Sequence, residues 1–480
     1  MTTVLGAPLQ EVEVDALDAA RFEPLVGPER MARFEAVAEA TRQRLGNRAV
    51  VNVNSTAVGG GVAEMLQTLL AYARGAGVDT RWLVIRGDAG FFAITKRIHN
   101  GLYGGPGDGG ELGEAERGHY EAVARRNAEG LLDVLAPDDV VLLHDPQTAG
   151  LAPSLLAAGR RVIWRCHVGV DEPNPWSDRS WEFLRPYLEG VDAYVFSRPE
   201  FAPPWAEREK TFVVPPSIDP FSAKNEPMSV RTVRLALGYA GLVEGAADPP
   251  VVPFTRRDGT RGRITRRCDL VQLGPPPPAD APLVVQASRW DGMKDMAGVM
   301  EGFAEYVDPS LGAHLVLAGP AVTGVADDPE AAEVYADCIR RWRRLSHEAR
   351  SRVHLACTPM TDPDEAAALV NALQRHATIA CQKSLAEGFG LTVAEAMWKG
   401  TPVVASAVGG IVNQIEDGEQ GLLVSDPRDL EAFGNAVEAL LRDPAEAGRL
   451  GRNARERATR ELLGDTHLAL YADVLGRLLT

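Results

Sequence analysis

The chain has 480 residues, 45% of them hydrophobic and 24% charged, which suits two or three globular domains and excludes a disordered or fibrous protein. Fifty Lys and Arg stand against 66 Asp and Glu, a net charge of −16 that lacks the electrostatic footprint of a general nucleic-acid binder. Any phosphate-bearing ligand must therefore be held by a local cluster of donors working against the field of the whole chain.

The opening stretch, MTTVLGAPLQEVEVD, has no basic segment leading into an apolar one, so no secretory signal is expected. No uncharged apolar run reaches the length of a membrane span, and a cytoplasmic protein is expected. Strand signals follow at Ala49–Asn54, Thr80–Arg86, Asp138–His144, Arg160–His167, Ala193–Ser197 and Thr211–Val214, with a helical pattern at Val62–Arg74. The stiff run Val214–Pro220 then separates these from a second series at Pro282–Ser288, His314–Gly319, Arg352–Cys357, Thr378–Gln382, Pro402–Ser406 and Gly421–Ser425, with a helix at Ala297–Tyr306. This alternation predicts an α/β protein of two doubly wound, Rossmann-like domains, 1–215 and 216–452. Sheets of this kind bind ligands beyond the carboxyl ends of their strands, and two such domains facing each other would form a cleft.

Between the two series, Thr255–Arg267 carries six arginines and reads as a hairpin around Asp258-Gly259. It is either an anion-contacting loop or a solvated excursion or subunit contact. Cys166, Cys268, Cys338, Cys357 and Cys381 are scattered with no CxxC pair, which predicts free thiols and no zinc site.

The densest signal is KSLAEGFGLTVAEAMWKG, Lys383–Gly400. An apolar strand ends before it, Gly388 and Gly390 allow a tight turn through Phe389, and a helix begins near Leu391. A glycine-rich turn into a helix presents backbone N–H groups and the positive end of the helix dipole, which suits a diphosphate. Glu387 and Glu395 frame the turn. Carboxylates accept hydrogen bonds from hydroxyls and repel phosphate, so Glu387 suits the ligand's reactive end and Glu395 a ribose. The positive partners sit in SRWDGMK, where Arg289 and Lys294 lie at or just past a strand's carboxyl end. In the first half, Gly59, Gly60 and Gly61 follow a strand and open a helix, the same anion-binding arrangement.

These residues resemble the retaining, nucleotide-sugar-dependent glycosyltransferases of family 4, which have the two-domain GT-B fold. The resemblance covers most of the chain and is strongest in SRWDGMKD, KSLAEGFGLTVAEAMWKGTPVVAS, AVGGIVNQIEDGEQGLLVSDP and NSTAVGGGVAEML. HDPQ at His144–Gln147, WRCHV at Trp164–Val168 and VPPSIDP at Val214–Pro220 look like the group within that family that makes trehalose from NDP-glucose and glucose.

The resemblance implies that Arg289 and Lys294 clamp the donor diphosphate, Glu387 contacts the transferred sugar and Glu395 the ribose. It implies that Gly59–Gly61 close over the phosphates, with Gly388, Phe389, Gly390 and Leu391 completing the donor site. His167 would contact the sugar near its reacting centre. His144 and Asp145 would shape the acceptor pocket, with Gln147, Trp164 and Arg165 as further acceptor-side residues. The C-terminal stretch from about Asn453 would cross back onto the first domain. The implied partners are a nucleotide sugar, a small sugar acceptor and a second copy of the chain, with neither nucleic acid nor membrane. No cofactor and no catalytic metal are expected. The readings that compete with this one are transfer to another sugar or a cyclitol, a nucleotide-sugar epimerase, a silent sensor and, least well supported, a glycosidase.

Overall fold

The computed structural model describes residues 9–57, 61–245, 251–257, 259–322 and 329–479. The chain divides into two compact units, Met1–Ser217 with Leu462–Thr480, and Ile218–Glu461.

The first unit holds strands β1 (Leu9–Val12), β2 (Val50–Asn54), β3 (Thr80–Ile85), β4 (Val140–His144), β5 (Arg161–Cys166), β6 (Ala193–Phe196) and β7 (Thr211–Val213). They form one sheet in the order β1-β3-β2-β4-β5-β6-β7, parallel except for β1, which runs antiparallel along β3. Alternate side chains along each strand serve opposite faces. Val51, Val53, Val141 and Leu143 pack with Phe91, Ile98, Tyr120 and Leu131 on one face. Val140, Leu142, Ile163 and Val195 meet Val474 and Leu475 on the other. The helix Gly464–Leu478, which carries those last two residues, therefore completes this unit's core.

The second unit opens with the helix Val230–Ala240, followed by a hairpin, β8 (Val252–Thr255) and β9 (Arg261–Ile264). Its main sheet contains β10 (Asp269–Val271), β11 (Leu283–Ala287), β12 (His314–Pro320), β13 (Val353–Thr358), β14 (Ile379–Gln382), β15 (Val403–Ser406) and β16 (Gly421–Val424). The order is β10-β13-β12-β11-β14-β15-β16, with only β10 antiparallel. β11 reads LVVQA and is buried along its whole length, as a central parallel strand covered on both faces must be.

One expectation changes, and one open alternative is narrowed. The helix Pro444–Glu461 is continuous and stays in the second unit, where the Arg455 guanidinium lies 5.2 Å from the Trp398 ring centroid. The chain therefore re-enters the first unit at Leu462 rather than near Asn453. The arginine-rich segment is tied down internally, with Arg256 to Asp362 at 2.6 Å, Arg257 to Asp364 at 2.8 Å and Arg266 to Glu365 at 2.5 Å. Those carboxylates stand at the start of the helix Pro363–His376, where the helix dipole favours negative charge. These three arginines answer that local acidity, which fits the solvated excursion better than the anion-contacting loop. Asp258, at the turn, lies outside the described residues. All five cysteines are buried thiols.

Candidate active site

In the second unit the strand order reverses between β11 and β14, so the loops leaving their carboxyl ends flank a crevice. The loop after β11 runs through Arg289 into the short turn Gly292–Lys294, capped by Asp291, whose Oδ1 accepts the Met293 N–H at 2.8 Å. The loop after β14 runs through Glu387 to Gly390, whose φ of 86° lets the chain turn into the helix Leu391–Lys399. No side chain caps that helix start, so its first-turn N–H groups face the loop without a side-chain acceptor.

Lys294 and Glu387, one from each loop, meet here. Lys294 Nζ donates to Glu387 Oε2 at 2.6 Å, and Ser384 Oγ donates to the same oxygen at 3.1 Å. Arg289 stands apart from this pair: its side chain is 65% exposed and reaches Asp291 on its own turn at 3.2 Å. Gly409 and Gly410 serve close packing. A Cβ on Gly409 would fall 1.6 Å from Glu387 O, and one on Gly410 would fall 2.6 Å from Phe389 Cα. The loop after β15 thus supports the Glu387–Phe389 backbone from beneath. Phe389 itself is buried, and Gly388 O accepts the Gly410 N–H at 3.0 Å.

Glu395 lies one turn into the helix, buried, with Oε1 3.6 Å from Lys224 Nζ. Lys399 donates to Glu395 O at 3.1 Å and to Asn225 Oδ1 at 2.9 Å, and burial lowers its ammonium to a pKa of about 7. Lys224 thus places a cation beside the Glu395 carboxylate, while Lys399 meets its backbone.

In the first unit the order reverses between β2 and β4. Gly61 opens the helix Gly61–Gly75 there, while Gly59 and Gly60 lie outside the described residues. His144 ends β4 and His167 follows β5; His144 Nδ1 and His167 Nε2 lie 3.1 Å apart. Hydrogen-bond logic assigns the tautomers. Thr80 Oγ1 gives its proton to Val50 O and accepts from Asn52 Nδ2 at 3.4 Å, which orients Asn52 Oδ1 toward His144 Nε2 at 3.1 Å. Asn52 Oδ1 only accepts, so His144 Nε2 carries the proton and its Nδ1 accepts from His167 Nε2. Arg165 Nε approaches the same ring, 3.1 Å from Nε2 and 3.3 Å from Nδ1; with Nε2 carrying the proton, Nδ1 is its acceptor. Burial, reinforced by the Arg165 charge, holds both imidazoles well below their usual pKa, consistent with a neutral pair.

Three acceptor-side expectations need correction. Arg165 is 0% exposed and directs its donors inward, to Tyr471 OH at 3.0 Å, Val214 O at 2.9 Å and the His167 ring. Its donors are thus all taken up within the first unit. Trp164 is a core residue, stacked edge-on against Trp181 and Phe196. His144 is buried with both ring nitrogens engaged, so it acts through His167. Gln147 lies half-buried on the short helix Asp145–Ala149.

Asp145 has φ 65°, a left-handed conformation costly for a residue with a side chain. Its Oδ1 accepts the His167 backbone N–H at 2.8 Å, and burial lifts its carboxyl to a pKa of about 7 despite that bond and the nearby Arg165 charge. Strained backbone and a shifted carboxyl mark functional positions more often than chance.

Sequence reasoning missed Gln286, Lys383 and Asp295, which tie the two donor-side loops together. The available signal was a glutamine inside the otherwise apolar run LVVQA. Among the described residues, no group of three or more His, Cys, Asp or Glu could hold a metal ion.

Two doubly wound units with ligand-facing loops at their switch points define a glycosyltransferase of the GT-B class. Residues 52–203 match the family described as "Trehalose synthase, N-terminal domain", and residues 276–457 match "Glycosyl transferases group 1". The chain is 33% identical over 457 residues to the trehalose synthase of Pyrococcus horikoshii, covering 95% of each chain. It is 33% identical over 440 residues to that of Rubrobacter xylanophilus, covering 90% of this chain and 92% of the relative. The fold is shared with an α,α-trehalose-phosphate synthase (UDP-forming) from Burkholderia vietnamiensis, with a TM-score of 0.63 and 15% identity over 90% of this chain and 98% of that one. The chain belongs to the trehalose synthase family, and it is a hexosyltransferase.

Proposed function

We propose that the protein moves glucose from an NDP-glucose donor onto the anomeric hydroxyl of free glucose, giving α,α-trehalose with retained configuration. The observation that carries this reading is the Lys294–Glu387 pair at the switch point of a trehalose synthase family chain. A cation for the diphosphate and a carboxylate for the sugar hydroxyls stand side by side, where the bond between sugar and phosphate would lie.

In this reading the donor's diphosphate exchanges with Glu387 for the Lys294 ammonium and takes the uncapped N-terminus of the helix Leu391–Lys399. Arg289, exposed on its loop, turns onto the same phosphates. Glu387 is released to the sugar hydroxyls and Glu395 holds the ribose. Asp145 and Gln147 of the first unit receive acceptor hydroxyls, and His167 the transferred sugar. The acceptor oxygen attacks the anomeric carbon on the face the diphosphate leaves, and its proton passes to the departing phosphate oxygen. Lys294, Arg289 and the helix dipole stabilise the charge that grows on the leaving group, a preorganised electrostatic role. The reading calls for neither metal nor cofactor, because these groups supply the neutralisation. It places the reaction in the cytoplasm; among the described residues no helix is long and apolar enough to cross a membrane.

A donor-by-acceptor screen tests the reading. ADP-, GDP- and UDP-glucose are each offered with glucose, other hexoses and a cyclitol, and nucleotide release and product are read together. A non-reducing disaccharide from glucose supports it. Conversion of the donor without nucleotide release would replace it with an epimerase.

A further inference from the structure

Lys294 reaches its ligand on a flexible four-carbon stem, so its usefulness depends on where its backbone is held. The turn that carries it is held from behind by Gln286 and Lys383, which no solvent reaches, and by the partly exposed Asp295. Gln286, 0% exposed in the middle of β11, uses both ends of its amide: Nε2 donates to Lys294 O at 2.7 Å, and Oε1 accepts the Lys383 N–H at 2.9 Å. One side chain therefore grips the loop after β11 and the loop after β14 together. A backbone bond from Leu385 N–H to Met293 O at 2.8 Å runs alongside it.

The next residue, Asp295, adopts φ 45°, a left-handed conformation that disfavours a side chain. Two contacts hold it there. Its Oδ1 accepts the Gly298 N–H at 3.1 Å, capping the helix Met296–Tyr306, and its Oδ2 is ion-paired with Lys383 Nζ. Lys383 opens the glycine-rich segment, where a lysine could be taken for a phosphate ligand, yet it is 0% exposed and its charge is directed at Asp295. Buried polar groups satisfied this completely rigidify what they join.

We propose that Gln286, backed by the Lys383–Asp295 ion pair, is a positioning residue that fixes Lys294 against the donor diphosphate. The inference rests on the reading of Lys294 as the diphosphate cation. Gln286→Glu keeps the acceptor for the Lys383 N–H and loses the donor to Lys294 O. Asp295→Asn keeps a residue type that tolerates the left-handed backbone and can still cap Gly298, and loses the charge.

The test is calorimetric titration of full-length protein with whichever of ADP, GDP and UDP binds the unsubstituted chain most tightly, alongside thermal melting. Gln286→Glu is expected to weaken binding about tenfold and Asp295→Asn about threefold, with the acceptor KM unchanged. In a Lys294→Ala background, Gln286→Glu is expected to change affinity by less than about twofold, because the interaction it served is already gone. Undiminished affinity in both single variants would overturn the inference. So would an equal loss with and without Lys294, since Gln286 would then support the fold and not the lysine. Undiminished binding by Lys294→Ala alone would contradict the donor-site reading, and this inference with it.

Discussion

Lys294 Nζ and Glu387 Oε2 lie 2.6 Å apart, a bonded pair formed by two residues whose proposed ligands are different parts of one donor. The pair neutralises itself in the absence of ligand, which suits a chain whose overall charge repels phosphate. Binding then becomes an exchange of partners: the diphosphate takes the cation, and the carboxylate turns to the sugar.

This exchange separates two substitutions. Lys294→Ala is expected to lower kcat/KM about 10²–10³-fold with the melting temperature close to that of the unsubstituted protein, as for loss of one preorganised donor. Glu387→Gln is expected to lower turnover while nucleoside diphosphate binding is retained or tightened, because Lys294 loses its competing carboxylate. Steady-state kinetics and nucleotide titration on both variants check this; near-normal turnover by Lys294→Ala would contradict it.

Glu395→Gln is expected to weaken nucleotide binding about tenfold, with a smaller effect on saturated turnover, since a hydrogen bond to a charged group is worth about 1.5–3 kcal/mol. Donor KM and nucleoside diphosphate Kd are the readouts. Unchanged donor affinity would remove Glu395 from the ribose.

Asp145 makes stability depend on pH in a definite direction. Its folded pKa of about 7 lies above the ordinary value of 3.8, so between those values the folded state binds more protons than the unfolded state. Stability from this residue is therefore present at low pH and lost as pH rises toward 7, at about 1.4 kcal/mol for each pH unit between the two values before solvent screening. Asp145→Asn tolerates the left-handed backbone and keeps an acceptor for the His167 N–H. It is expected to melt higher than the unsubstituted protein at pH 8 and to lose that advantage at pH 4.5. Equal differences at both pH values would contradict the assignment.

Arg165→Lys exchanges a guanidinium making three bonds for a single ammonium, with a loss of about 2–4 kcal/mol of stability. Melting temperature and acceptor KM are expected to suffer, because His167 loses its orienting partner. Nucleoside diphosphate affinity is expected to stay unchanged, since Arg165 and the Lys294 site belong to different units.

Much of this was legible in the sequence because central parallel strands are buried on both faces and read as apolar runs. β2 through β6 and β11 through β15 carry that mark, while the parallel edge strands β7 and β16 are less buried and were found from their short apolar runs TFV and GLLV. β1 and β10 escaped it: both are short antiparallel edge strands, and LQEV and DLV lack a run of buried residues. At the site, exposure did not decide what was found: Glu395 is buried and was read, while Asp295, 20% exposed, was missed. Lys294, Glu387 and Glu395 stand out by charge and spacing, whereas Gln286 and Lys383 matter through partners distant in sequence. Arg165 was misread for the same reason, since only the fold shows that Tyr471 and Val214 receive its donors.

The most direct test of the central reading is a single reaction of NDP-glucose with glucose ¹³C-labelled at its anomeric carbon, followed by NMR with nucleoside diphosphate measured in the same tube. The account predicts one nucleoside diphosphate released for each α,α-linked disaccharide formed, with the label in its glycosidic bond, and both formed at least about a hundredfold more slowly by Lys294→Ala. Nucleotide release with the label remaining in free glucose, or a reducing disaccharide, would contradict it.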